Sequence, residues 1–119
     1  MPIRVLVVED DAEVRTSLGE LLRTKGYNVR EVSDGLTARE LLTEELFDAV
    51  TLDLKLPGID GDELIASLSE PPPVIVYSAF AVFDPGNVRG KLGARITRLL
   101  RKPAAPQDLL DAVAEAIAS

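Results

Sequence analysis

The sequence predicts an α/β fold, a doubly wound parallel sheet with helices on both faces. Three observations carry that reading. Apolar, β-branched runs such as Ile3-Arg4-Val5-Leu6-Val7-Val8 and Val74-Ile75-Val76-Tyr77 suit strands buried on both faces. Between such runs lie segments whose apolar residues recur at helical spacing. Strands and helices then alternate along the chain, which calls for parallel pairing through crossovers. The 119 residues suit one domain, 1–119, with one core. At 46% hydrophobic and 4% aromatic residues, that core is aliphatic. Periodicity alone leaves the order of the strands open.

Taken in order, residues 3–8 form the first strand. Val14, Leu18, Leu21 and Leu22 stripe a helix over 12–25, which Asp10 or Asp11 can cap. Asp10 with Glu13 has the spacing of a capping box, and Lys25-Gly26 supplies a basic last turn and a C′ glycine. A short strand over 28–32 leads through Ser33-Asp34-Gly35 to a helix over about 36–45, with Leu41 and Leu42 inward. Residues 47–52 form the third strand. Pro57-Gly58-Ile59-Asp60-Gly61 is turn chemistry, with Asp60 placed to cap a helix over 61–69. Pro71-Pro72-Pro73 stops that helix before the strand at 74–77. The segment from Ala79 to Gly93 contains Asp84-Pro85-Gly86-Asn87 and Gly90, so a fourth helix there is expected to be short or irregular, about 86–92. The fifth strand covers 95–101. Pro106 opens the last helix, striped by Leu109, Leu110, Val113 and Ile117.

Polar residues capable of chemistry fall at the carboxyl ends of these strands. Glu9-Asp10-Asp11 follows the first, Asp53 the third, Ser78 the fourth and Lys102-Pro103 the fifth. In a parallel α/β sheet those ends share one edge, where ligands bind. Carboxylates, a hydroxyl and an ammonium gathered there suit a divalent metal and a phosphoryl group. Taken singly, Asp10 reads as a helix cap, Asp53 and Ser78 as ordinary strand ends, and Lys102 as one of a basic run. Only their conjunction on one edge speaks for a site.

Composition narrows the chemistry further. The chain has no Cys and no His, which excludes thiolate and imidazole catalysis, Cys- or His-ligated zinc, and phosphohistidine on this chain. No apolar run is long enough to span a bilayer and no basic leader opens the sequence, so a cytoplasmic protein without a membrane partner is expected. The net charge of −7 is uneven, with 17 acids and 7 bases in residues 1–88 against 3 acids and 6 bases in 89–119. All six of the latter bases lie between Arg89 and Lys102, either as a solvated face or as a docking surface for an acidic protein partner at residues 80–101. The overall negative charge argues against direct nucleic-acid binding.

These strand-end motifs, in this order, resemble the receiver domain of response regulators, the phosphoacceptor module of two-component signalling. Val7-Val8-Glu9-Asp10-Asp11 resembles the family's acidic first-strand end, and Leu52-Asp53-Leu54-Lys55-Leu56-Pro57-Gly58-Ile59-Asp60-Gly61 its phosphoacceptor loop. Ser78-Ala79 and Lys102-Pro103 resemble its Thr/Ser-Ala and Lys-Pro steps. The likeness covers nearly the whole chain. It implies a flavodoxin-like sheet of order 2-1-3-4-5 and a cis peptide at Lys102-Pro103. It further implies that Asp53 accepts a phosphoryl group from a histidine kinase or phosphotransfer protein, with slow self-hydrolysis, in a protein that is not a conventional enzyme. Mg²⁺ would be held by Asp10, Asp53 and the backbone carbonyl of Lys55, with Glu9 acting through water. Lys102 and Ser78 would contact phosphoryl oxygens.

Two departures from the family pattern bear on output. The family's Tyr or Phe three residues before the Lys is Leu99 here, and the stretch Gly93–Arg98 is about two residues longer than usual. The rival reading is therefore a receiver-fold interaction module that signals without phosphorylation. An Asp-nucleophile phosphatase would call for a second Asp where Lys55 stands, and a flavin carrier for a phosphate loop and a stacking Trp that the sequence lacks.

Overall fold

The computed structural model describes residues 2–79 and 96–118. In chain order these form β1 (Arg4–Val8), α1 (Ala12–Arg23), β2 (Asn28–Val32), α2 (Gly35–Glu44), β3 (Ala49–Leu52), α3 (Gly61–Ala66), β4 (Val74–Ser78), β5 (Ile96–Arg101) and α4 (Pro106–Ala118). The strands pair in parallel in the order β2-β1-β3-β4-β5. The expected short helix at 86–92, and most of the segment 80–101 read as a docking surface, lie outside the described residues. Among the described residues, no helix is long and apolar enough to cross a membrane.

Alternation along each strand builds a core on each side of the sheet. Leu6, Val8, Val50, Leu52, Val74 and Val76 face α2 and α3, meeting Ala38, Leu64 and Ile65. Val5, Val7, Ala49, Ile75 and Tyr77 face α1 and α4, meeting Leu18, Leu22, Leu109 and Val113. Leu41 and Leu42 pack inward from α2, as their spacing predicts, although both are only partly buried. Leu46 at the foot of β3 is left almost fully exposed. Leu99 packs on the α2–α3 side and Leu100 on the other.

Helix boundaries follow local hydrogen bonding, and several depart from the sequence reading. Asp11 rather than Asp10 caps α1, its Oδ1 accepting from the N–H groups of Glu13 (2.9 Å) and Val14 (3.2 Å). Asp10 is thereby released from the capping-box role its spacing suggested. The helix stops at Arg23, short of Lys25, and the chain turns through Gly26 at φ 84°, a left-handed conformation open to glycine at little cost. Asp34 caps α2 through Thr37, as bounded by the turn before it. Asp60 stands at the N-cap of α3 but makes no side-chain capping bond, and α3 ends at Ala66 instead of 69. β3 begins at Ala49, two residues later than expected. Asp48 instead turns its Oδ2 to the Arg4 N–H (2.8 Å), and Phe47 lies under the Arg4 guanidinium (4.7 Å to the ring centroid).

The fifth strand carries an irregularity that the extra length before it foreshadows. Val74 pairs with Ile96 but Ile75 pairs with Arg98, so β5 has one residue more than β4 across that step. Pairing then resumes in register, Tyr77 with Leu100 and Ser78 with Arg101. The bulge takes up surplus chain and delivers Lys102 to the edge, where its N–H donates to Ser78 O (2.8 Å). Of the six clustered bases, Lys102 is committed to this edge and Arg98 pairs with Glu115 (2.8 Å), so neither is simply part of a solvated run.

One buried polar atom stands out. Thr51 is 1% exposed, and its Oγ1 has no hydrogen-bond partner among the described residues. Leaving a hydroxyl unsatisfied costs about 1–3 kcal/mol, while an isosteric methyl removes that cost. Thr51→Val is therefore expected to raise stability by about 1 kcal/mol, whereas Ile75→Ala, on the neighbouring strand and fully buried, should lower it by about 2–5 kcal/mol. Urea unfolding of the two variants checks both signs; a destabilised Thr51→Val would mean that the hydroxyl has a partner.

Candidate functional site

The strand order reverses between β1 and β3. The chain runs from β1 outward to β2, then crosses back to place β3 on the other flank of β1. The loops leaving β1 and β3 therefore part in opposite directions and open a crevice at the carboxyl edge. Glu9 and Asp10 enter it from β1 and Asp53 from β3. Their main chains are tied to the sheet, with Glu9 N–H donating to Val32 O and Asp53 N–H to Val8 O, each at 3.1 Å. Ser78 ends β4, and Lys102 follows β5. The Lys102–Pro103 peptide is cis.

At the centre is the Lys102 ammonium. Its Nζ lies 2.5 Å from Glu9 Oε1 and 2.9 Å from Asp53 Oδ2. Asp53 Oδ1 accepts from Ser78 Oγ–H (3.1 Å) and from the Lys55 N–H (3.2 Å). Glu9 Oε2 accepts from the Asp11 N–H (3.2 Å). Both oxygens of each buried carboxylate thus meet a donor, as buried charge demands. Asp10 differs, since it is exposed and its carboxylate has no partner among the described residues.

Charge at this edge is unbalanced. Burial pushes the Glu9 carboxyl up to about 6, although Lys102 and the Asp11 N–H favour its ionised form. Burial by itself would lower Lys102. Its hydrogen bonds to Glu9 and Asp53 outweigh that, and the ammonium is held above its ordinary value. Three acidic side chains therefore share one ammonium at this edge. One ligand atom from each of Glu9, Asp10 and Asp53 falls within 4.8 Å of the others. Oxygen donors, few carboxylates and an open face toward water match the coordination habit of Mg²⁺. The acidic cluster fits that ion.

Two further residues, Arg15 and Gly61, complete the site. Arg15, on α1, donates from Nη1 to the carbonyl oxygens of Glu9 (2.9 Å) and Asp10 (3.4 Å), bracing the acidic turn. Gly61 opens α3 against the Asp53 loop, its N–H on Leu54 O (2.8 Å). A Cβ there would sit 2.7 Å from Asp53 O and 3.0 Å from Leu54 Cα, so the backbone could not keep its place. Arg15 looks like any basic residue on the polar face of an amphipathic helix, and only Gly61 had a signal, as the end of the Pro57–Gly61 turn. The expected residues Glu9, Asp10, Asp53, Ser78 and Lys102 come together, and Lys55 meets Asp53 through its backbone N–H.

This geometry has counterparts. The chain matches the response regulator receiver domain over residues 5–114. It is 33% identical to sporulation initiation phosphotransferase F of Bacillus subtilis, across 92% of this chain and 90% of that protein. It is 40% identical over 82 residues to the response regulator MprA of Mycobacterium sp. (strain KMS), a match covering 66% of this chain and 36% of that protein, so the chain spans about a third of that relative's length. Among solved structures, the receiver domain of a sensor histidine kinase from Pseudomonas aeruginosa PAO1 superposes with a TM-score of 0.84 at 28% identity, each chain covered in full. That structure has a magnesium ion coordinated in its active-site cleft. The match across 110 consecutive positions, together with the strand order and the acid–lysine edge, places this chain in the response regulator receiver domain family of two-component systems.

Proposed function

We propose that Asp53 is the phosphoacceptor, taking a phosphoryl group from a phosphohistidine of a histidine kinase or phosphotransfer protein. The observation that supports this most directly is the convergence of Lys102 and Ser78 on the Asp53 carboxylate, beside Glu9 and Asp10. In this reading an Asp53 oxygen attacks phosphorus as the P–N bond of the donor breaks. The imidazole nitrogen keeps the bonding pair and takes up a proton from water. Lys102 and Ser78 then exchange their contacts with Asp53 for contacts with phosphoryl oxygens. Glu9, Asp10, Asp53 and the Lys55 carbonyl would hold Mg²⁺, which when bound offsets the charge of the incoming phosphoryl group. The chain would act as a cytoplasmic signalling module and would lose its phosphoryl group by slow hydrolysis.

Incubation with Mg²⁺ and acetyl phosphate is expected to add the mass of one phosphoryl group to the intact protein, and none to Asp53→Asn. Labelling retained in Asp53→Asn would move the acceptor elsewhere. No labelling of the parent protein would favour the phosphorylation-independent module that Leu99 raises.

Metal binding gives a separate check. Asp10→Asn should weaken Mg²⁺ binding by about tenfold or more, because it removes the most accessible of few charged ligands. Lys102→Met should bind Mg²⁺ at least as tightly as the parent, since it removes a cation from the cluster, yet accept phosphate more slowly. Calorimetric titration reads both affinities; equal weakening in the two variants would contradict the division of roles.

A further inference from the structure

Lys102 has a third neighbour besides its two carboxylates. The ring of Tyr77 lies on the α1–α4 side of the sheet with its centroid 5.5 Å from Lys102 Nζ. Its hydroxyl accepts from the Ala104 N–H at 3.4 Å. The ring is 9% exposed and helps form an apolar groove of about 390 Å³ between α1 and α4, where Leu18, Leu21, Pro106 and Leu109 also line the wall. Ser78, the next residue, points its hydroxyl at Asp53. Tyr77 therefore touches both ends of the Lys102–Ala104 turn while remaining anchored in the core by β4.

We infer that Tyr77 is a positioning residue for Lys102, and that its ring registers whether the ammonium rests on the carboxylates or is drawn to a phosphoryl group. The inference rests on the phosphoryl-acceptor reading above. Its physical basis is that the face of an aromatic ring attracts a cation within about 6 Å, while the hydroxyl tethers the turn two residues on. A lysine side chain has four rotatable bonds and loses substantial entropy when fixed. A ring beneath it and a tethered turn behind it reduce the alternatives from which the ammonium must be recruited. Because Tyr77 makes no bond to Asp53, its loss should affect the rate of the reaction more than donor binding.

The chain makes the test accessible. It has no Trp and two Tyr, and the second, Tyr27, precedes β2 at the opposite edge of the sheet. In a Tyr27→Phe background all tyrosine emission comes from Tyr77. Mg²⁺ with beryllofluoride, a phosphoryl mimic, should change that emission saturably, and the same addition to Tyr27→Phe/Lys102→Met should change it little. In parallel, Tyr77→Leu should slow acetyl phosphate labelling at saturating donor by roughly three- to tenfold with the half-saturating donor concentration nearly constant, and Tyr77→Phe, which keeps the ring, should recover most of the rate. Unchanged Tyr77 emission in a protein whose intact mass shows full phosphorylation would overturn the inference and leave the acceptor reading in place. So would a Tyr77→Leu variant that labels at the parent rate. No mass gain in the Tyr27→Phe parent would overturn both. Should Tyr77→Leu fail to fold, the emission measurement and Tyr77→Phe still decide.

Discussion

The contact between the Lys102 ammonium and the carboxylates of Glu9 and Asp53 holds the carboxyl edge together. Two acids that are 2% and 7% exposed would repel each other and resist burial without a cation between them. Lys102 supplies that cation from the far side of the crevice, one residue beyond β5. The compensation is incomplete, because Asp10 adds a third negative charge. Burial, with a smaller push from the Asp53 charge, raises Glu9 against the pull of Lys102. A fully balanced pair would have no call on a second cation, whereas this edge is stable enough to fold and still short of positive charge.

The rest of the fold serves that arrangement. Parallel pairing aligns the ends of β1, β3, β4 and β5, and reversal of strand order between β1 and β3 opens the space into which the acids project. Aliphatic packing on both faces fixes the strands, so the side chains at their ends are placed by the core and not by their loops. The bulge in β5 shows how closely this is held. An extra residue on the strand is absorbed between Ile96 and Arg98, and Lys102 still falls beside Ser78. Gly61 serves the same end by letting α3 approach the Asp53 loop more closely than any side chain would permit.

The α1–α4 side adds a second layer of support. Arg15 braces the carbonyls of the acidic turn from the first turns of α1, and Tyr77 lies beneath Lys102 from within β4. Both reach the site from the same face of the sheet, the one that carries the apolar groove. The chain has Leu99 on the opposite face, partly buried against the α2–α3 core. Aromatic character next to the lysine is thus found on β4, adjoining the groove, and the aliphatic residue on β5 belongs to the other core.

Much of this was legible in the sequence. The apolar runs and helical stripes determined the elements, because burial on both faces of a sheet demands continuous apolar runs and burial of one helix face demands a stripe. The acids, Ser78 and Lys102 were legible because each directly ends such a run. Helix ends were less so. Asp10 and Asp11 are chemically equivalent caps, and only the path of the turn after Val8 decided that Asp11 bonds the helix while Asp10 stays open. Asp60 has the residue type of a cap but does not make the bond. Strand order also lay outside periodicity and came from likeness to a family. What tertiary structure alone decided were contacts between residues distant in sequence: Lys102 bridging Glu9 and Asp53, Tyr77 beneath that lysine, and the unpartnered Thr51 hydroxyl. A sequence pattern records which face a residue takes, because that depends on its neighbours along the chain. Which residue it meets there depends on how separate strands and helices are brought together, and no local period carries that information.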